Sequence, residues 1–575
     1  MTEKLPATIS FHLESWLENA GIVGLHRILG DRCMVQDQQL TIPTSVLENF
    51  SQNYFNFFAS NLHYGRLTRF QRIIAFEEQI KKWQADDFST FDEKALNVLD
   101  QWYKDVLKYS AKSKSYQKLY PLINSDFDVL AELQLLDKSL KGLKRKGFLK
   151  KFPDEAKEDL RQLCSQLQEV IDYFKRSDSK KYFPAKTLSY TIINNAWNGV
   201  SFLNPQAKET DFYVDYQHYF VDPVVDYLAE DHSKDKFICS TCGRPIKRQN
   251  MSYGFINGMG YDTARKTSNA WDFSNDQFIC PICQLMYSCT SAGFSYNMAK
   301  QGIFINYNHS LSDLLKANDA VFETMIQKML DHGNVSPFRA FTTSFEERLN
   351  QSSTYSLAGV QVVTYGDDSY RFTVIPPIAA GVIAKAIKVP FGKKDSGKNL
   401  LSVLFAAGIS DFRGFNYYSI YDEVIRRLFN STNLYSLIYE LELILNSQPS
   451  NIRFNQLHIM ALINLNAMFF KELANEEDPI MQVKSEDLSK MRGAGLYVLN
   501  YYKDNENGKK ANALVYKLLQ AVNSGSPEKF MAIILNVYAG QNQLVPSKLI
   551  NNINQPEVFR QYALAFIAGL IGEAK

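Results

Sequence analysis

"FICSTCGRPI" at 237–246 and "FICPICQLMY" at 278–287 are one phrase written twice, Phe-Ile followed at once by a C-x2-C pair. Four of the chain's seven cysteines are used this way. Two such knuckles let backbone N–H groups point at the sulfurs while four thiolates close a tetrahedron around Zn2+. Cys239, Cys242, Cys280 and Cys283 are therefore the expected ligands of a structural zinc ion. Four protein ligands leave no open position for water. For such sites, apparent metal affinities of about 10–16 kcal/mol make metal and local fold inseparable. The competing reading is four reduced thiols with no metal. Cys289 lies close enough to compete as a ligand but outside either pair, and Cys33 and Cys164 read as core residues.

The metal reading depends on compartment. The N-terminal "MTEKLPATISFHLESW" has no apolar signal region. The most apolar long run, "VIPPIAAGVIAKAIKVPF", carries three prolines and two lysines and is a poor membrane span. A cytoplasmic protein with no membrane partner is expected, and there paired cysteines are metal ligands before they are disulfides.

With 575 residues the chain exceeds one hydrophobic core, and two to four domains are expected. Outward from the cysteines, the fold class reads as α+β and mostly helical. An N-terminal domain spans 1–235, a zinc ribbon is inserted at 236–290, an α/β continuation covers 291–405, and a helical bundle fills 406–575. In the first part, "SWLENAGIVGLHRILGD" has helical spacing, with Gly21 and Gly24 permitting close backbone approach. A helical region follows from about 72 to 175, interrupted by Pro121 and Pro153. "GIFINYN" reads as a strand, 310–332 as a helix, and "AGVQVVTYGDDSYRFTVIPP" as a hairpin turning at Gly366–Ser369. In its second strand Tyr370, Phe372 and Val374 alternate against Arg371 and Thr373. From about 414 onward the pattern is helical throughout, with one stripe at Leu434, Leu437, Ile438 and Leu441 and another at Phe559, Tyr562, Ala563, Phe566 and Leu570. Ser526 followed by Pro527 is a helix start, a cap and then a proline at the first helical position.

Net charge is only +2, so a uniform electrostatic grip on nucleic acid is not indicated, and the local distribution decides. Residues 101–151 hold 12 Lys or Arg against 5 Asp or Glu, whereas 401–575 hold 16 of each sign. The densest run, 138–151, has seven basic residues and no acid: Lys138, Lys141, Lys144, Arg145, Lys146, Lys150 and Lys151. A helix ending in a mobile basic loop that contacts phosphates is expected there, the plain alternative being a solvated helix face. The loop between the knuckles is Gly-rich and carries Arg265 and Lys266, suited either to a groove or to a solvated connector. "GKKDSGKN" at 392–399 falls one residue short of a P-loop, because Asn399 stands where a hydroxyl would hold Mg2+. Lys393, Lys394 and Lys398 remain candidate phosphate contacts. The eight histidines are scattered, with no H-D pair or H-x-E cluster suited to a catalytic metal. No catalytic residue is expected, and the legible chemistry is binding.

Three phrases together carry a family resemblance: "WLENAGIVGLHRIL" near the N-terminus, Asn269-x-Trp271-x-Phe273, and "FICPICQLMYSCTSAGF". They resemble the CXXC–CXXC family of CRISPR-associated proteins, the large subunits of subtype I-B Cascade complexes. The resemblance spans both ends of the first ~295 residues, and the helical C-terminus fits the same architecture without adding a motif. It implies a non-catalytic subunit that binds the 5′ end of CRISPR RNA and target double-stranded DNA. Such a subunit recognises the protospacer-adjacent motif and sits with backbone and small subunits. It also helps recruit a helicase–nuclease. In related systems the C-terminal bundle is also made separately, for which Met460 or Met468 would be internal starts. Sequence specificity delegated to RNA pairing needs only a local basic surface on the protein, which agrees with a small net charge and one basic region. The alternatives are a zinc-ribbon nuclease or RNA-processing enzyme, and a zinc-ribbon scaffold with no nucleic acid.

Overall fold

The computed structural model describes residues 5–60, 62–65, 68, 70–145, 153–258, 277–297, 299–332, 335–349, 358–366, 369–392, 397–474, 483–504 and 508–572. It is mostly helical with four small sheets and divides into two compact units. The first holds 1–334 with 363–371, and the second holds 335–362 with 372–575.

In the first unit the chain enters as β1 (Thr8–His12) and turns into α1 (Trp16–Leu29). It returns as β2 (Met34–Gln36) and β3 (Gln39–Pro43), giving an antiparallel sheet of order β1-β3-β2. The register pairs Thr8 with Pro43 and His12 with Gln39. Helices follow: α2 (Phe50–Ser60), α3 (Phe70–Ala85), α4 (Glu93–Val106), α5 (Val129–Leu143), α6 (Pro153–Lys175) and α7 (Ser177–Leu188). Pro153 opens α6 rather than breaking it, since a proline at the first helical position lacks only an N–H that would have had no partner. Asp92 and Asp128 cap α4 and α5 by accepting backbone N–H bonds.

The centre of this unit is the contact between α1 and the segment after the second knuckle, α8 (Pro281–Ser288) and α9 (Thr290–Gly293). Glycines make it possible. A Cβ on Gly24 would lie 1.9 Å from the Cys289 carbonyl oxygen, and one on Gly293 would lie 2.0 Å from that of Ala20. The two backbones touch where any side chain would part them. The four buried residues from Tyr287 to Thr290 are then gripped from several sides. Trp197 Nε1 and Tyr54 Oη donate to the Ser288 carbonyl at 2.9 and 3.1 Å, and Tyr216 meets Ser288 Oγ at 2.6 Å. Arg27, with a side chain only 6% exposed, donates to the Ala292 and Gly293 carbonyls and pairs with Asp319 at 3.1 Å. With Nη2 donating to the Asn318 carbonyl at 2.8 Å, each nitrogen of this buried guanidinium has an acceptor, as a desolvated cation requires. The unit is completed by a four-stranded sheet in the order β6 (Ser295–Tyr296), β7 (Gly302–Asn306), β8 (Gln361–Gly366), β9 (Ser369–Val374), and by α10 (Leu311–His332). In β9 only part of the expected alternation is realised. Tyr370 packs on Trp16 and Phe294, but Phe372 and Val374 are 52% and 57% exposed.

The second unit gathers α11 (Pro337–Leu349), α12 (Pro377–Ala386), the hairpin β10 (Gly408–Phe412) and β11 (Phe415–Ser419), and the helices beyond them. The segment 372–405 groups here, because α12 packs on α15 of the helical array. That array comprises α13 (Ile420–Phe429), α14 (Tyr435–Ser447), α15 (Gln456–Leu473), α16 (Ser485–Asp504), α17 (Gly508–Asn523), α18 (Pro527–Ala539) and α19 (Pro556–Ile571). The expectation of helix throughout from 414 is corrected by β11. Gly414 at φ +80° turns the chain back, and Phe412 pairs with Phe415 across the tip. Both apolar stripes are buried as expected, and Ser526 accepts from Lys529 N with Pro527 following the cap. A second glycine notch joins α16 to α19, where a Cβ on Gly495 would lie 1.9 Å from the Phe566 carbonyl oxygen.

Two outcomes follow for stability. Gly24→Ala forces apart a packed backbone contact and should lower unfolding stability by about 1–3 kcal/mol. The helical Gly142, with nothing within 4 Å of its Cβ position, should gain roughly 1 kcal/mol on the same change. Urea titration followed by circular dichroism separates the two, and equal effects would contradict the notch. In α14, Glu442 is fully buried and neither carboxylate oxygen has a partner, so burial raises its pKa well above the ordinary 4.5. The folded chain then binds this proton more tightly than the unfolded chain, and stability falls as pH rises above that ordinary value. Glu442→Gln should raise the urea midpoint at neutral pH and change it little near pH ~4.5; equal gains at both would contradict a buried, protonated carboxyl.

Candidate metal centre

The first knuckle sits on a minimal ribbon, β4 (Phe237–Ile238) against β5 (Pro245–Ile246), with Phe237 opposite Ile246. Gly243 at φ +69° makes the turn after Cys242, a left-handed conformation that favours glycine. Cys239 N donates to the Arg244 carbonyl at 2.8 Å and Gly243 N to the Cys239 carbonyl at 2.9 Å, closing the loop. The second knuckle differs from a ribbon. Cys280 is the N-cap of α8, Pro281 follows it, and Cys283 N points at the Cys280 sulfur at 3.5 Å. A helix N-terminus is a good place for a thiolate, since free N–H groups and the helix dipole both favour negative charge there.

Ser240 N donates to the Phe278 carbonyl at 2.8 Å, and Cys280 N points at the Cys239 sulfur at 3.2 Å, so the knuckles lie side by side. The four ligand sulfurs lie within 4.8 Å of one another, and Cys242 Sγ is 3.6 Å from Cys280 Sγ. With metal–sulfur bonds of about 2.3 Å, a tetrahedron has sulfur–sulfur edges of roughly 3.8 Å. The cluster is therefore the right size to hold a metal ion and is consistent with zinc. Cys239, Cys280 and Cys283 are buried while Cys242 reaches the surface.

The electrostatics point the same way. Hydrogen bonds from neighbouring thiols lower Cys239 strongly. Cys239 raises Cys242, but hydrogen bonds from Cys280 and Cys283 outweigh this and lower it, and both of these donors are raised. Four sulfurs this close share protons unevenly, and only a cation lets all four be thiolates together. Arg244 lies close by: burial works against its charge but the sulfurs outweigh it, and the guanidinium donates to the Ser10 carbonyl at 2.7 Å.

A directed chain of hydroxyls ties the centre to the core. Tyr253 Oη lies 2.6 Å from Thr241 Oγ1, which lies 2.9 Å from Tyr287 Oη, which donates to Glu18 Oε1 at 2.6 Å. Thr241 is inside the first knuckle, Tyr287 is on the helix of the second, and Glu18 is in the first turn of α1. Cys289 takes no part in the cluster. It is fully buried, its thiol donates to the Leu285 carbonyl, and burial pushes it up to about 12. Cys164 is buried and Cys33 half-buried.

Residues 232–295 match the model of a family described as CRISPR-associated protein (Cas_CXXC_CXXC). The match supports a CRISPR-associated protein of the CXXC–CXXC type. It takes in both knuckles and runs through α8 and α9, the segment held against the glycines of α1. No curated protein and no solved structure matches the chain. Among the described residues no helix is long and apolar enough to cross a membrane.

Five of the twelve basic residues expected to meet phosphate are among the described residues. Lys138 and Arg145 are exposed on and just beyond α5. Lys141 pairs with Asp137 at 2.5 Å, and Lys144 pairs with Asp100, so part of this charge is locally neutralised. Lys146, Lys150, Lys151, Arg265, Lys266, Lys393 and Lys394 lie outside the described residues, as do Asn269, Trp271 and Phe273. Lys398 lines a cavity of about 690 Å³ with Lys388 and Arg492. At the described ends of the near-P-loop segment Pro390 bridges Asn399, and Phe391 N donates to the Lys398 carbonyl. Asn399 accepts from Leu401 N and Ser402 N, starting a 3-10 turn rather than a phosphate-binding helix.

Cys280→Ser should lower metal content from about one ion per chain and expose the knuckles to protease, while Cys289→Ala should keep its full metal content. Elemental analysis with limited proteolysis checks both. Metal retained in the first variant, or lost in the second, would contradict the ligand set.

Proposed function

We propose that the chain is a non-catalytic large subunit of a type I-B CRISPR surveillance complex, with zinc as the structural ion of its four-cysteine centre. It binds CRISPR RNA at the 5′ end and engages target double-stranded DNA. It recognises the protospacer-adjacent motif beside backbone and small subunits, and it helps recruit the helicase–nuclease. The observation that carries this reading is the family match at 232–295 on a four-cysteine cluster of a size to hold a metal ion, whose second knuckle helix is packed, backbone to backbone, on α1. Four protein thiolates fill a tetrahedral ion, so the centre supplies shape and not a reactive water. What it shapes is a surface, and a subunit whose sequence specificity comes from RNA pairing needs little more than a well-placed surface of modest charge.

The test is assembly. Co-expressed with a CRISPR RNA and the backbone subunits of a type I-B system from the same cell, the tagged chain should co-purify with the RNA. The purified assembly should then bind duplex DNA carrying the protospacer and its adjacent motif, with no cleavage by this chain alone. A chain that purifies free of RNA and backbone subunits, or that cuts nucleic acid on its own, would overturn the proposal.

A further inference from the structure

Away from the metal centre, the first unit contains a cavity of about 360 Å³ whose wall includes Lys114, Lys118, Lys186 and Tyr190. The two lysine-bearing segments are distant in sequence but fastened together. Tyr116, between Lys114 and Lys118, has its hydroxyl 2.7 Å from Thr187 Oγ1, next to Lys186. Its ring also lies nearly parallel to that of Phe183 on α7, with centroids 6.3 Å apart. Three ammonium groups thus face one space by construction.

Three lysines stand against one acid in this lining. Among the described residues none of the three lysines pairs with a carboxylate. Glu209 is the one acid among the residues lining this cavity, and it turns an oxygen onto the N–H groups of Thr210 and Asp211 at 2.8 and 3.0 Å. Burial, with the nearby Lys118 ammonium, holds Lys186 down at about 8. Lys114 and Lys118 are exposed and Lys186 is half-buried; like charges brought together this way repel, and an anion entering among them relieves that cost. Lys186 Nζ also lies over the Tyr190 ring, 4.8 Å from its centre, and donates to its hydroxyl at 3.4 Å, while Tyr190 as a residue is 45% exposed. A cationic clamp beside an open aromatic face is the arrangement by which proteins hold a nucleotide, phosphate on the cations and base on the ring.

We propose that this cavity binds one nucleotide unit of a single-stranded nucleic acid, with Lys114, Lys118 and Lys186 on its phosphates and Tyr190 stacked on its base. The biological source of the strand rests on the function proposed above, whereas the site itself rests on the geometry of this cavity.

The experiment uses the full chain and a short fluorescein-labelled poly(U) oligonucleotide, read by fluorescence anisotropy over a salt series. The Lys114→Ala/Lys118→Ala double variant should bind about ten-fold more weakly, with its log–log salt slope reduced by about 1.4, because single strands contribute about 0.7 per phosphate contact. Tyr190→Leu should weaken binding while leaving the slope unchanged. Lys510→Ala/Lys517→Ala, matched in charge and exposed on α17, should change affinity less than two-fold. Each variant is first shown to keep its metal content and circular dichroism. Unchanged affinity and slope in the cavity double variant, or the main loss falling on the α17 pair, would overturn the proposal. So would a site that takes inorganic pyrophosphate as strongly as the oligonucleotide and ignores Tyr190→Leu, which is an anion site without a base. Failure of the chain to join a CRISPR RNA complex would leave these lysine-dependent results standing, so the two proposals fail separately.

Discussion

Four thiols drawn within a few ångströms of one another are the constraint on which the rest of the first unit depends. Sulfurs at this spacing compete for protons and repel as thiolates, and a dication removes both problems at once. Cys242 is exposed, but Cys239, Cys280 and Cys283 are buried, so the cost of leaving them uncompensated falls on the interior. The second knuckle is also the start of α8. Whatever fixes Cys280 and Cys283 fixes the helix that Trp197, Tyr54, Tyr216 and Arg27 converge on a few residues later.

The hydroxyl chain from Tyr253 through Thr241 and Tyr287 to Glu18 gives this coupling a second route. Its terminal acceptor is a carboxylate, so each donor has one direction in which to point, and such networks are rigid when fully satisfied. The glycine notch at Gly24 supplies the third tie, since it lets α1 reach the carbonyl of Cys289 with no side chain between. The first and last parts of the matched pattern are thereby attached to the N-terminal helix. That attachment gives a physical reason why "WLENAGIVGLHRIL" and the doubled cysteine phrase occur in one chain.

Much of this was legible in the sequence, for reasons that can be named. The C-x2-C pairs announced their cluster because metal-ligand spacing is local. Gly21 and Gly24 announced a close approach because only glycine allows one, and Ser526-Pro527 announced a helix start because a cap acts on its own backbone. What could not be read is what depends on partners far along the chain. Nothing in residues 415–419 told strand from helix until Gly414 folded them onto β10. In the basic run at 138–151, Asp100 and Asp137 answer two of the lysines, which charge counted along the chain does not show. Lys118 and Lys186 share a cavity only because Tyr116 meets Thr187, a contact no run of charge reveals. Phe372 and Val374 show the same limit, since their alternation was right for a strand but not for which of them would find a core.

The central claim is that Cys239, Cys242, Cys280 and Cys283 surround one ion and nothing else does. X-ray absorption at the zinc edge of the purified chain measures this directly. The expected spectrum fits four sulfur scatterers at about 2.3 Å with no lighter ligand. A first shell containing nitrogen or oxygen, or a folded chain with no zinc edge at all, would contradict it.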